Sequence, residues 1–358
     1  MPPPKKAAMD FPSPDLIEGI PLPRENNQLF GHRAAEATLL DAYQQGRMHH
    51  AWLVCGEEGI GKATLAFRMA RFILANPDPA SVIDAAGLDV PPDQPAAIKI
   101  AHGTHANILH IQRDWDERGK RFRSALGVDS VRRIIPFLGT TAGEGDWRFV
   151  IIDPADDMNR NAANALLKAL EEPPAKTLFF LISRSPGRLL PTIRSRCRTL
   201  SCPALSNDDL ALVLQLFNKE PDSPNDRDLA LGLSDGSPRK ALEIIFGPGA
   251  EVYRSLIKAL DQPDTGHIWA VSDQIAKNRT DGLAEFVNSL TAYYGRRIRG
   301  QEEPVRSHKP RHLPLATWAE LWEKAARSSR DAEIYNLDVR HIVADLLETY
   351  AGAVRQRR

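Results

Sequence analysis

These 358 residues hold little that could cross-link them: the three cysteines, Cys55, Cys197 and Cys202, are too few for a disulfide framework and lack paired metal spacing. A reducing compartment is the expectation. Net charge is also missing, since 46 Lys+Arg stand against 46 Asp+Glu, which argues against bulk electrostatic capture of nucleic acid by this chain alone. No apolar run reaches the roughly 18–20 residues needed to cross a bilayer, and Met-Pro-Pro-Pro-Lys-Lys at the start lacks the apolar segment of a signal peptide. The chain is therefore read as cytoplasmic, with no membrane partner. What is present, 42% apolar and 26% charged residues, is ordinary globular composition, enough for two or three domains and incompatible with wholesale disorder.

Seven prolines in the first 26 residues predict a loose N-terminal arm over 1–26. From 27 to 203, β-like runs at Ala51–Cys55, Asn107–Ile111, Arg148–Ile152, Thr177–Ile182 and Arg198–Cys202 alternate with helical patterns. That alternation predicts an α/β domain with a mostly parallel five-stranded sheet. Val131, Ile134, Ile135 and Leu138 repeat at helical spacing, as do Ala163, Leu166, Leu167 and Leu170. Between them and the first strand, Ala75–Ala97 reads as a surface insertion rich in Pro, Asp and Ala. After Pro203 strand signals stop. Ser206 and Asp209 form a helix start, a small helical unit follows over 204–250, and stripes such as Leu283, Phe286, Val287, Leu290 and Val339, Ile342, Val343, Leu346 predict a helical bundle over 251–358.

The most informative segment comes directly after the first β-run. Gly56, Gly59 and Gly61, then Lys62, stand between a strand and a helical pattern, the setting of a phosphate-binding loop. Its glycines let consecutive amides converge on phosphate oxygens, and Lys62 adds a point charge. The next position calls for a hydroxyl to ligate magnesium and holds Ala63, while Thr64 sits about 100° further round the helix. A second strand ends at Asp153, where a magnesium-anchoring acid belongs, but Pro154 comes next and cannot act as a base. Asp156, two residues further on, reads as a helix-initiating acid. Metal-dependent hydrolysis is thus disfavoured on two counts.

Gly61-Lys62, the strand ending at Asp153, the string Asn164-Ala-Leu-Leu-Lys-Ala-Leu-Glu-Glu-Pro-Pro174 and the triplet Ser195-Arg196-Cys197 together resemble the AAA+ clamp-loader subunits of bacterial DNA polymerase III. The degenerate positions make the resemblance stronger to the delta-prime type than to the hydrolytic tau/gamma type, which remains the alternative. It implies an AAA+ P-loop domain, a helical lid and a C-terminal helical collar. It further implies a non-hydrolysing subunit of a hetero-oligomeric ring with tau/gamma and delta subunits, which loads a sliding clamp onto primer-template DNA.

By the same resemblance Arg196 is an arginine finger supplied in trans, against a plain surface arginine in a turn that also holds Arg184, Arg188, Arg194 and Arg198. Ser183 falls at the sensor-one position or simply ends a strand. Arg239, in Gly236-Ser-Pro-Arg-Lys-Ala-Leu242, is a lid arginine that reaches bound nucleotide or a solvated arginine at a helix start. ATP or ADP bound without hydrolysis is the cofactor expectation. Zinc is not expected, because residues 66–106 hold no cysteine and His102 with His105 cannot close a tetrahedral site alone. His49 and His50 read as loop histidines. Arg296-Arg297-x-Arg299 and Arg355-x-Arg357-Arg358 read as solubilising surface or as contacts to a phosphate backbone.

Overall fold

A computed structural model describes residues 13–139, 147–217, 224–247, 249–277, 282–305, 311–335 and 337–355. The chain divides into two compact units, residues 1–213 and 214–358. In the first, strands β1 (Ala51–Cys55), β2 (Ile108–Ile111), β3 (Trp115–Asp116), β4 (Arg121–Phe122), β5 (Arg148–Ile152), β6 (Thr177–Ser183) and β7 (Arg198–Ser201) form two sheets. The larger has five strands in the order β2-β5-β6-β1-β7, every pairing parallel. Its helices are α1 (Arg33–Gln44), α2 (Lys62–Ala75), α3 (Pro95–Ala101), α4 (Val128–Arg132), α5 (Ile134–Gly139), α6 (Arg160–Glu171), α7 (Pro191–Arg194) and α8 (Asn207–Leu216), the last crossing the division. The five β-runs read from the sequence are these five strands, to within one residue at each end.

Parallel strands bury both faces, so they read as continuous apolar runs; β6 is buried along its whole length and β5 at four of its five positions. Helix α6 lays Ala162, Ala163, Leu166 and Leu170 into the same core as Val150, Ile152, Phe179 and Leu181. Its start is fixed by Asn159, whose side chain accepts a hydrogen bond from the Ala162 amide. Ser206 caps α8, accepting from the Asp209 amide at 3.1 Å while its hydroxyl donates to the Asp209 carboxylate at 2.8 Å.

Several expectations change. The stripe from Val131 to Leu138 is not one helix: the α-helix breaks at Arg133, Ile134 is buried and Ile135 is exposed. Pro136 crowds the carbonyl four residues back, at Arg132, which is the last residue of α4. The N-terminal arm is not loose throughout. Residues 1–12 lie outside the described part, but Arg68 and Arg71 of α2, both buried, donate to the carbonyls of Asn27 and of Arg24 and Asn26. Arg24 in turn donates to the Ala101 carbonyl at 3.2 Å. The insertion after α2 is likewise anchored, through Leu88, Ala96 and Ala97, and through Asp89 paired with Arg68 at 3.2 Å.

The second unit is helical: α9 (Pro224–Leu233), α10 (Pro238–Phe246), α11 (Gly249–Asp261), α12 (Thr265–Lys277), α13 (Gly282–Arg299), α14 (Leu315–Tyr335) and α15 (Val339–Arg355). Phe286, Val287 and Leu290 of α13 and Ile342, Val343 and Leu346 of α15 enter one core with Tyr253, Tyr293, Tyr294, Trp318 and Tyr350. Leu229 of α9 belongs to that core too, so the segment read as a small helical unit shares its interior with the bundle.

Arg296 is not solubilising surface. It is buried with Glu303, the guanidinium and carboxylate lying 3.6 Å apart. The Tyr253 hydroxyl joins them, donating to Glu303 and accepting from Arg296, whose guanidinium lies 5.4 Å from the Tyr253 ring. Arg357 and Arg358 fall outside the described residues. Removing one partner of a buried ion pair leaves the other uncompensated, so Arg296→Ala should lower stability by about 3–5 kcal/mol in denaturant unfolding. A surface arginine would change it by no more than about 0.5 kcal/mol.

Candidate functional site

The register of the sheet sets the site. Cys55 of β1 lies level with Ser183 of β6, and Ile152 of β5 with Leu181, so the segments after these strands open side by side at the carboxyl edge. Gly56, Gly59, Gly61, Lys62, Asp153 and Ser183 all belong to this edge. Gly59 and Gly61 have φ of 75° and 104°, in the region that favours glycine. A Cβ at Gly61 would lie 2.9 Å from Leu29, and one at Gly56 would overlap the Cys202 carbonyl. At Gly56 and Gly61 a side chain therefore has no room.

Lys62 is buried, and its ammonium donates to the carbonyls of Gly56, at 2.8 Å, and of Glu57. Burial pulls its pKa below the ordinary amine value, and the nearby Asp153 carboxylate acts against that. His32, absent from the sequence reading, braces the loop from below: its Nε2 lies 2.6 Å from the Ile60 carbonyl and must therefore carry the proton. Its own burial lowers its pKa, consistent with a neutral ring.

Asp156 does not initiate a helix. It sits in a short 3-10 turn after β5, while Asn159 caps α6. One of its carboxylate oxygens accepts from the Ser183 hydroxyl at 2.7 Å, the other from the amides of Arg184, at 2.6 Å, and Ser185, at 3.3 Å. Through these three bonds Asp156 is a strap between the ends of β5 and β6. Ser183, fully buried, spends its hydroxyl on that strap. Arg184 extends it to the loop, pairing with Glu58 at 2.7 Å and with Asp157 at 3.6 Å.

Arg196 stands elsewhere. The chain passes through α7 and Arg196 before entering β7 at Arg198, which lies level with Trp52 near the start of β1. Trp52 and Cys55 are three residues apart along a strand, about 10 Å. Arg196 is therefore at the amino edge of the sheet, opposite its own phosphate loop. One guanidinium nitrogen donates to the Thr192 carbonyl at 2.9 Å and another meets the Glu171 carboxylate at 2.7 Å. Ser195 donates to the same Thr192 carbonyl at 3.1 Å, and Cys197 is a half-buried plug against the sheet core. Arg239 lies in the second unit, in the first turn of α10, where Ser237 caps the helix and Glu243 pairs with the guanidinium at 2.8 Å.

The histidine pairs are turned to the backbone. His102 faces the Ile98 carbonyl at 2.8 Å and His105 accepts from the Asn107 amide at 3.2 Å. His50 approaches the Leu170 carbonyl at 3.1 Å and stacks on His49. No helix among the described residues is long and apolar enough to cross a membrane.

A family model described as "DNA polymerase III, delta subunit" matches residues 31–206. DNA polymerase III subunit delta' of Escherichia coli is 36% identical over 311 residues, covering 86% of this chain and 79% of that protein. This chain belongs to the delta-prime family of DNA polymerase III subunits. The delta-prime subunit of Pseudomonas aeruginosa is 38% identical over 213 residues, 58% of this chain, and the match spans 59% of that relative's length. The tau subunit of E. coli is more distant, 27% identical over 62% of this chain and 32% of that protein.

Two outcomes test the site. Replacing Asp156 by alanine leaves a buried hydroxyl and two amides without their acceptor and should cost at least about 2 kcal/mol in denaturant unfolding, with Ser183→Ala costing less. Burial raises the thiol pKa from the ordinary 9.0 to about 12 at Cys197 and about 11 at Cys202. Because the unfolded chain ionises first, the thiols favour the fold fully below pH 9, and that contribution is lost as pH rises toward these values. Iodoacetamide at pH 8 should spare both in the folded protein and label them in urea.

Proposed function

We propose that this chain is a non-hydrolysing clamp-loader subunit that lends Arg196 to a neighbouring subunit's ATP site in a ring with tau/gamma and delta subunits, and so helps load a sliding clamp onto primer-template DNA in the cytoplasm. The observation that supports it above others is the position of Arg196. A half-exposed, permanently charged fork at the sheet edge opposite its own phosphate loop serves a site that another chain brings to it. Stabilising charge on a transferring phosphoryl group by such a fork is worth about 10³–10⁵ in rate, so a subunit without turnover can still set the rate of its neighbour.

The loop's own equipment supports the other half of the reading. It keeps the backbone cradle of Gly56, Gly59 and Gly61, which suits a phosphate tail, but Ala63 offers magnesium no hydroxyl and Pro154 offers water no base. Any ATP or ADP held there would have to draw Lys62 from the carbonyls of Gly56 and Glu57. Binding without hydrolysis is therefore the cofactor role we assign to Gly56, Gly59, Gly61, Lys62 and Asp153, with Ser183 acting behind them through the Asp156 strap. On this reading 27–203 is the AAA+ domain, 204–250 the lid and 251–358 the collar.

In the reconstituted ring, Arg196→Ala should lower DNA-stimulated ATP hydrolysis by at least about 10²-fold while leaving assembly intact on gel filtration. The purified chain alone should show no turnover. Hydrolysis by it that Lys62→Ala abolishes would support the tau/gamma-type alternative instead.

A further inference from the structure

We propose that Glu171 is the positioning residue of the arginine finger, an inference that rests on Arg196 acting in trans. Glu171 is the last residue of α6, stopped there by Pro173 and Pro174, whose preceding residue is kept out of helical geometry. Arg196 comes just after the single turn α7. Both carriers are immobilised: Leu170, next to Glu171, and Ile193, three residues before Arg196, are fully buried in one core. The carboxylate and the carbonyl of Thr192 then fix the guanidinium from two sides, at 2.7 Å and 2.9 Å.

A flexible arginine loses side-chain entropy whenever it docks on phosphate. Two contacts made beforehand, on rigid elements, reduce that loss at the moment of catalysis. Glu171 retains 50% and Arg196 34% side-chain exposure, so the pair holds the fork in direction without hiding it from an incoming phosphate. The end of α6 also carries partial negative charge, which favours a cation in the same place. The string Leu-Leu-Lys-Ala-Leu-Glu-Glu-Pro-Pro, which the nucleotide loop leaves unused, thereby acquires a role, because it delivers one carboxylate to the finger.

The test is a double-mutant cycle in the reconstituted ring, reading DNA-stimulated ATPase as kcat and KM separately. Glu171→Ala should lower kcat by about two- to fivefold, the scale of a partly exposed ion pair, with KM for ATP unchanged. Glu171→Gln, which keeps an acceptor oxygen, should restore part of the loss. With Arg196→Ala already present, Glu171→Ala should do nothing more. Unaltered melting of each purified variant shows that the fold is kept. If Arg196→Ala lowers kcat but Glu171→Ala leaves it unchanged, raises it, or adds a further loss to the double variant, the positioning role is wrong and the finger stands. If Arg196→Ala has no effect, both fall.

Discussion

In an all-parallel sheet every strand enters at one edge and leaves at the other, and this constraint separates the two halves of the chemistry. The segments after β1, β5 and β6 gather at the carboxyl edge, where the glycine loop, Asp153 and the Asp156 strap converge. The segment before β7 is confined to the amino edge, together with the end of α6. One chain therefore presents a phosphate cradle on one edge and a charged fork on the other. A single protomer cannot close such a pair on itself. The sheet thus fixes the two on opposite edges before any side chain is considered.

The carboxyl edge is held by polar contacts among its own residues. Lys62 is tied to loop carbonyls, Glu58 to Arg184, and Arg184 through its amide to Asp156. Each contact satisfies a group that would be costly to leave bare in a half-dry crevice.

The strands were legible because β-runs in a buried parallel sheet carry their apolar signal without interruption, as in Thr177–Ser183. The glycine loop was legible because backbone conformation there admits few residue types. Harder to read were the contacts that join distant segments. Asp156 reads as a helix-start acid until β6 brings Ser183 and two amides onto it, and Arg296 reads as surface until Glu303 and Tyr253 close around it. Nothing local distinguishes a charge that finds a buried partner from one that meets water. Pro136 was visible in the sequence, yet its effect fell one turn earlier, where its ring meets the backbone. Glu171 lay in plain view within a recognisable string, but only the fold places it beside Arg196.

Arg68 and Arg71 run along the interior side of α2, and the carbonyls they use belong to the stretch from Arg24 to Asn27. Guanidinium does not discharge near neutrality, so these two cations need oxygen acceptors: Glu36 of α1 meets Arg68 at 2.6 Å, and the backbone ahead of α1 supplies carbonyls to both. The polypeptide ahead of α1 thus acts as a girdle of acceptors, and the domain begins, in energetic terms, several residues before its first regular element. A fragment trimmed back to Leu29 would contain the whole sheet and still be missing part of its own interior.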